Sequence, residues 1–135
     1  MLCVVPSCTE IKGVVFSMSP DSAPGPDGFT GHFFQACWDF IENDICSAVK
    51  AFFCGHLLPR GFTSSLVALV PKVDTPKTCA DFRPISLCNF FYKIISRLLS
   101  DRLTSVLPLL ISEEQGAFVK GRSIIENVSL AREMV

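Results

Sequence analysis

The stretch Leu69-Val-Pro-Lys-Val-Asp-Thr-Pro-Lys-Thr-Cys-Ala-Asp-Phe-Arg-Pro-Ile-Ser-Leu87 decides how the rest of the chain is read. Upstream of it, residues 62–70 (FTSSLVALV) are rich in strand formers and stop at Pro71. Its middle, KVDTPKTCAD, is polar and turn-forming, and RPISLC then reads as a second short strand. The two runs together predict a β-hairpin with a long basic tip. Lys72 sits where the first strand leaves its apolar run, and Arg83 sits where the second begins. Antiparallel pairing would bring the two cations close. An ammonium is a point charge and a guanidinium is a bidentate fork for phosphate oxygens, so such a pair can hold a polyphosphate from one side. Pro84 limits the backbone freedom of the segment carrying Arg83. The competing reading is an exposed hairpin with two solvated bases, where Arg83 pairs with Asp81 or Asp74.

Downstream, residues 89–107 (NFFYKIISRLLSDRLTSVL) carry the clearest helical period, with Asn89 as N-cap and Pro108 closing the helix. Phe91, Ile94, Ile95, Leu98, Leu99, Leu103, Val106 and Leu107 form the apolar stripe. Lys93, Arg97 and Asp101 recur at four-residue spacing, so Arg97 and Asp101 can pair. Residues 112–122 read as a loop. Residues 123–134 read as a last helix, with Ser123 and Glu126 in capping-box spacing and an apolar stripe of Ile124, Ile125, Val128 and Leu130.

Upstream, residues 9–18 predict a short amphipathic helix capped by Thr9, with Ile11, Val14, Val15 and Met18 on one stripe. SPDSAPGPDGF then carries three prolines and two glycines in eleven residues, which predicts an ordered loop with Asp27 capping the next helix. Residues 29–54 are helical in period, with the polar Glu42-Asn43-Asp44 favouring two helices over one and Gly55 as the stop. The sum is an α+β chain, mostly helical with one β-hairpin.

The chain has 135 residues, 49% of them hydrophobic, and twelve are phenylalanine, which argues for a packed core and against disorder. Seven cysteines without a C-x-x-C pair fit neither a disulfide framework nor a zinc site; they read as reduced thiols packed as small hydrophobes in an intracellular protein. No apolar run is long enough for a membrane span, and MLCVVPSCTEIK lacks the basic start of a signal peptide. The net charge of −1 hides an uneven distribution: residues 60–102 hold seven bases against three acids, while residues 1–59 hold two bases against six acids. The basic centre suits either a phosphate footprint or a solvated face.

Five blocks in order carry a family resemblance: APGPDGF (23–29), FFQACWDFI (33–41), LVPK (69–72), DFRPISLCNFFYKIISRLLSDRL (81–103) and SEEQGAFVKGRSIIENV (112–128). Their order resembles the plant-like branch of LINE (non-LTR retrotransposon) reverse transcriptases, from about Glu10 onward. The resemblance implies a partial reverse transcriptase domain over residues 1–135, comprising an N-terminal extension, a hairpin of the fingers type and the start of the palm. It implies that Lys72 and Arg83 contact the triphosphate of an incoming deoxynucleoside triphosphate. It implies that the block of Gln115, Gly116, Ala117, Phe118, Gly121 and Arg122 lies near an RNA template and DNA primer, with Lys93 and Arg97 as further backbone contacts. Residue by residue, plainer roles compete: Phe118 and Trp38 as core, Arg122 at a helix end, Lys93 and Arg97 on a solvated face. The family's metal-binding aspartates have no counterpart here, since the chain has no adjacent aspartates and its one adjacent acid pair, Glu113-Glu114, matches neither motif. Mg²⁺ is therefore expected in a complete parent enzyme and not in this stretch, which is expected to be inactive alone. The alternative is a non-catalytic nucleic-acid-binding or interaction module derived from a retroelement.

Overall fold

A computed structural model describes residues 2–112, 115, 119, 121 and 122. The expected helix over 123–134 lies outside the described residues, as do Phe118 and the Glu113-Glu114 pair. The chain forms two compact units, residues 3–97 and residues 98–135 with the first two, and the division falls inside one helix.

The first unit begins with α1 (Cys8–Ser17), which buries Ile11, Val14 and Val15 on the stripe that the spacing predicts. Its cap is Ser7 and not Thr9: the Ser7 hydroxyl accepts from the Glu10 amide at 3.1 Å. Both are capping residue types, and the chain enters the helix earlier than the spacing suggested. Residues 29–54 do form two helices, α2 (Gly31–Ala36) and α3 (Trp38–Phe53). The break comes at Cys37, whose ψ of 9° leaves the helical range, and the polar run 42–44 continues through α3 without interruption. Asn43 and Asp44 are exposed there, so they cost the helix little. Gly55, at φ +90°, stops α3 as expected.

Asp27 does not cap α2. Thr30 takes the N-cap position, and the Asp27 carboxylate instead accepts from the Phe29 amide at 3.1 Å, making a local turn. Pro59 then starts a single helical turn, α4 (Arg60–Thr63), which takes in residues 62–63, the start of the strand that the sequence predicts. Phe62 is drawn onto Phe91, ring centroids 5.1 Å apart, and this tertiary contact overrides local strand preference.

The hairpin forms as predicted: β1 (Ser65–Pro71) pairs antiparallel with β2 (Phe82–Cys88). A 3-10 turn over Cys79–Asp81 organises its tip. Next comes α5 (Phe90–Thr104). Phe90, Phe91, Ile94, Ile95 and Leu98 are buried, whereas Leu103 is partly exposed. Asn89 holds the position before α5, but its side chain serves elsewhere. Fully buried, it accepts from the Asp27 amide at 3.3 Å and donates to the Gly61 carbonyl at 2.7 Å. One amide thus ties the proline-glycine loop and α4 to the start of α5. The phenylalanines form a connected series, Phe29 to Phe33 at 4.5 Å, Phe33 to Phe34 at 5.6 Å and Phe34 to Phe90 at 4.8 Å. Such tilted and edge contacts suit the ring quadrupole.

The second unit holds the end of α5 and a short α6 (Leu107–Leu110). Pro108 sits within the first turn of α6, where its missing N–H leaves no bond unmade, and so opens a helix where it was expected to close one. In the same unit, the Arg102 guanidinium donates to the Leu2 carbonyl at 3.0 Å.

Candidate functional site

Register determines what the hairpin can present. Val70 lies opposite Arg83 and Pro71 opposite Phe82. The Lys72 amide donates to the Asp81 carbonyl at 2.7 Å, which carries the ladder one residue past β1 and makes this a hydrogen-bonded pair. Every second pair is then of the same kind, including Val70 with Arg83. Pro71 and Pro84 fall in the alternate pairs, where backbone nitrogens point to the outer edges and a missing N–H costs no ladder bond. The two prolines also blunt the two edges against further strand pairing.

Alternation puts Lys72, Val70 and Arg83 on one face of the sheet. Lys72 and Arg83 are diagonal neighbours across the strands, a relation that places Cβ atoms roughly 7–8 Å apart or somewhat less. Lys72 Nζ donates to the Ala80 carbonyl at 2.8 Å, which holds the ammonium at the hairpin tip. Arg83 is exposed.

Asp81 builds that tip. Its carboxylate accepts from the Lys77 amide at 2.9 Å, the Thr78 amide at 2.8 Å and the Thr78 hydroxyl at 3.1 Å. These bonds, the Lys77 amide first, hold its carboxyl below the usual carboxylate range. A depressed folded-state pKa contributes stability that is present above the unfolded value and lost as pH falls through the folded one. The turn is therefore expected to loosen in acid, below about pH 4. In an NMR titration the Lys77 and Thr78 amide signals should move together there, and in Asp81→Asn that transition should vanish. Persistence of the transition in the variant would assign it to another group.

The remaining expected site residues lie on α5 and in the second unit. Lys93 Nζ, on α5, donates to the Ala23 carbonyl at 2.6 Å, tying down the proline-glycine loop. Arg97 lies one turn later on the same helix and is exposed. In the second unit Gln115 is exposed and Gly121 takes φ +88°. Arg122 donates to the carbonyls of Ser112, Gln115 and Ile111. The hairpin cations are brought onto one face, and Lys72, Lys93 and Arg122 each donate to backbone carbonyls.

Two features escaped the sequence reading. One is a cleft of about 510 Å³ whose lining includes Phe29, Phe33, Phe34, Phe62 and Phe91, with Asp27, Asp44 and Asn89 as its polar groups. The Phe29–Phe33 spacing is visible in the sequence, but Phe62 and Phe91 join them only through folding. The second is a contact between Cys8 and Lys50, 42 residues apart.

No family model matches the chain. The Transposon TX1 uncharacterized 149 kDa protein of Xenopus laevis is 33% identical over 126 residues, which is 93% of this chain and 10% of that protein. The Retrovirus-related Pol polyprotein from type-2 retrotransposable element R2DM, of Drosophila melanogaster, is 32% identical over 88 residues, 65% of this chain and 8% of that one. These relatives are non-LTR retrotransposon proteins. The similarity supports a retrotransposon-derived chain, in agreement with the motif order. The chain spans a tenth or less of the length of either relative. The structure is compatible with the α+β class, mixing helices with a two-stranded antiparallel sheet. Among the described residues, no helix is long and apolar enough to cross a membrane.

Proposed function

We propose that this chain is a piece of a reverse transcriptase of the non-LTR, plant-like kind, covering the N-terminal extension, the fingers hairpin and the entry to the palm. The reading rests on one observation above all: the hairpin register puts Lys72 and Arg83 on one face. In this reading the two cations bind the triphosphate of an incoming deoxynucleoside triphosphate. Lys72 acts as a point charge steadied by Ala80, and Arg83 as the bidentate fork. By the family resemblance, Lys93 and Arg97 are assigned to contacts with an RNA template or DNA primer, and so, separately, is the block of Gln115, Phe118, Gly121 and Arg122. Lys93 and Arg122 also donate to backbone carbonyls, as Lys72 does to Ala80. The relatives support this reading, one of them being named as a Pol polyprotein.

Both faces of the hairpin also expose apolar side chains, Leu66, Val70 and Ile85 on one and Val67 and Leu69 on the other. A bare two-stranded hairpin is marginal in water, so this supports an element that packs against more polypeptide in a longer parent. Transfer to a primer hydroxyl requires Mg²⁺ held by convergent carboxylates. Among the described residues no group of three His, Cys, Asp or Glu side chains could hold a metal ion, so these residues do not fit that centre and no metal-dependent step is assigned to them.

The test joins this segment to a downstream palm from a relative. In that hybrid, Arg83→Ala should raise the nucleotide KM by roughly 10- to 150-fold, the equivalent of about 1.5–3 kcal/mol for a hydrogen bond to a charged group. An unchanged KM would remove the triphosphate assignment.

A second reading, a non-catalytic nucleic-acid-binding module, is favoured by the seven bases against three acids in residues 60–102. It expects the isolated chain to bind duplex with log K falling by about 0.9 per log unit of salt for each phosphate neutralised. Absence of binding at low salt would eliminate it.

A further inference from the structure

Away from the hairpin, three reactive or titratable side chains meet where the start of α1 packs on α3. Lys50 Nζ lies 3.1 Å from Cys8 Sγ. Cys46 precedes Lys50 by one turn of α3, so it lies on the stripe that faces the same sulfur, and it is 3% exposed. Glu42 lies one turn earlier still, so Glu42, Cys46 and Lys50 occupy one stripe of α3 at four-residue spacing. Cys8 is the first residue of α1, just after the Ser7 cap, and is half-buried, with a path to solvent. A helix start favours negative charge on the sulfur.

We propose that Cys8 is a modification site, an oxidant-reactive thiol that hydroperoxides convert, with Cys46 as the resolving thiol, into a disulfide joining α1 to α3.

The two thiols are unequal in the way such a pair requires. The Cys46 hydrogen bond, then the Lys50 ammonium, lowers the Cys8 pKa, against the opposing pull of partial burial and Glu42. Burial first, then the hydrogen bond to Cys8, pushes Cys46 up. Cys8 is thus the more readily ionised thiol of the two, the one that reacts through its thiolate, and Cys46 holds its proton more firmly.

In the first step the Cys8 thiolate attacks the terminal oxygen of the hydroperoxide. An S–O bond forms, the O–O bond breaks, and the departing alkoxide or hydroxide takes a proton from water. The product is a sulfenic acid, which carries no charge. Loss of the anionic sulfur removes what Cys8 contributed to holding the Cys46 proton, while the Lys50 ammonium remains to favour a Cys46 thiolate. Cys46 then gives up its proton and attacks the Cys8 sulfur. The S–S bond forms, the S–O bond breaks, and the departing hydroxide takes up a proton to leave as water. Two thiols are oxidised by two electrons, and the hydroperoxide is reduced to an alcohol, or to water if it is hydrogen peroxide, plus one further water.

The full chain carries its own comparison, because Cys3, Cys54 and Cys79 are exposed thiols. The reduced chain would be treated with an equimolar amount of hydrogen peroxide, its remaining thiols alkylated, and its peptides mapped by mass. The expected product is a Cys8–Cys46 crosslink formed before Cys3, Cys54 or Cys79 is changed. In Cys46→Ser, dimedone should trap a sulfenic acid at Cys8. In Lys50→Met, iodoacetamide at pH 7 should modify Cys8 about tenfold more slowly, measured against Cys54 in the same molecule. If Cys8 in the unmodified chain is alkylated no faster than Cys54 and Cys79, or if peroxide yields only crosslinks that omit Cys8 or Cys46, the proposal is overturned. Both of those readings come from the unmodified chain and so do not depend on any variant folding.

Discussion

Trp38→Ala is expected to lower the stability of the chain by about 3–5 kcal/mol in urea unfolding, the usual cost of deleting a buried indole and leaving its cavity. Trp38 opens α3, is 2% exposed, and meets Phe16 edge-on with ring centroids 6.1 Å apart. Domains of this size are stable by only about 5–15 kcal/mol, so the variant should lie near its unfolding midpoint under mild conditions. Trp38→Phe separates packing from polarity. The indole N–H finds no acceptor among the described residues, so phenylalanine keeps most of the apolar contact and removes an unsatisfied donor. Its cost should stay well below that of alanine, since only one ring of the indole is lost and the cavity left is smaller. If Phe proved as damaging as Ala, the N–H would have to be bonded, and the side chain's role would not be packing alone.

Gly25→Ala should have the next largest effect, at the upper end of the roughly 1–3 kcal/mol typical of overpacking. A Cβ there would overlap the Asn89 amide nitrogen, the Asn89 Oδ1 and the Cys88 carbonyl carbon. Two of those atoms are backbone at the junction of β2 and α5, so no side-chain rotation relieves the clash. The loop would have to lift, breaking the bond from the Asp27 amide to Asn89. Hydrogen exchange should read this directly: the Asp27 amide loses protection while amides in the middle of α3 keep theirs. Gly13, whose Cβ would meet nothing within 4 Å, provides the control, since Gly13→Ala lies inside α1 and should be neutral or slightly stabilising. Full protection of Asp27 in Gly25→Ala would mean that the loop is not seated on Asn89.

Where sequence reading succeeded, the signals were short-range. The apolar spacing of α1 and α5 marks buried stripes, and Gly55 marks the end of α3. The strand-turn-strand pattern around Lys72 and Arg83 marks the antiparallel pair. Where it failed at Phe62 and Asn89, a distant partner took over. Phe62 belongs to a helical turn because Phe91 receives its ring. The Asn89 side chain leaves the helix start it would normally cap in order to bridge Asp27 and Gly61. The candidate site was half legible: the residue types at positions 72 and 83 suggest anion binding, but their common face comes from a pairing register that neither strand specifies by itself.

The amino-acid order alone determined the α+β class, the helical stripes and the hairpin, because each arises from periodicity and backbone preference within a few residues of chain. It also carried the likeness to retrotransposon proteins, since that rests on the order of residues. Tertiary structure decided which face the hairpin cations share, where the loop at Gly25 presses on Asn89, and that Lys50 meets the Cys8 sulfur. Those contacts join residues far apart in the chain, and close packing selects them only when the separate elements come together.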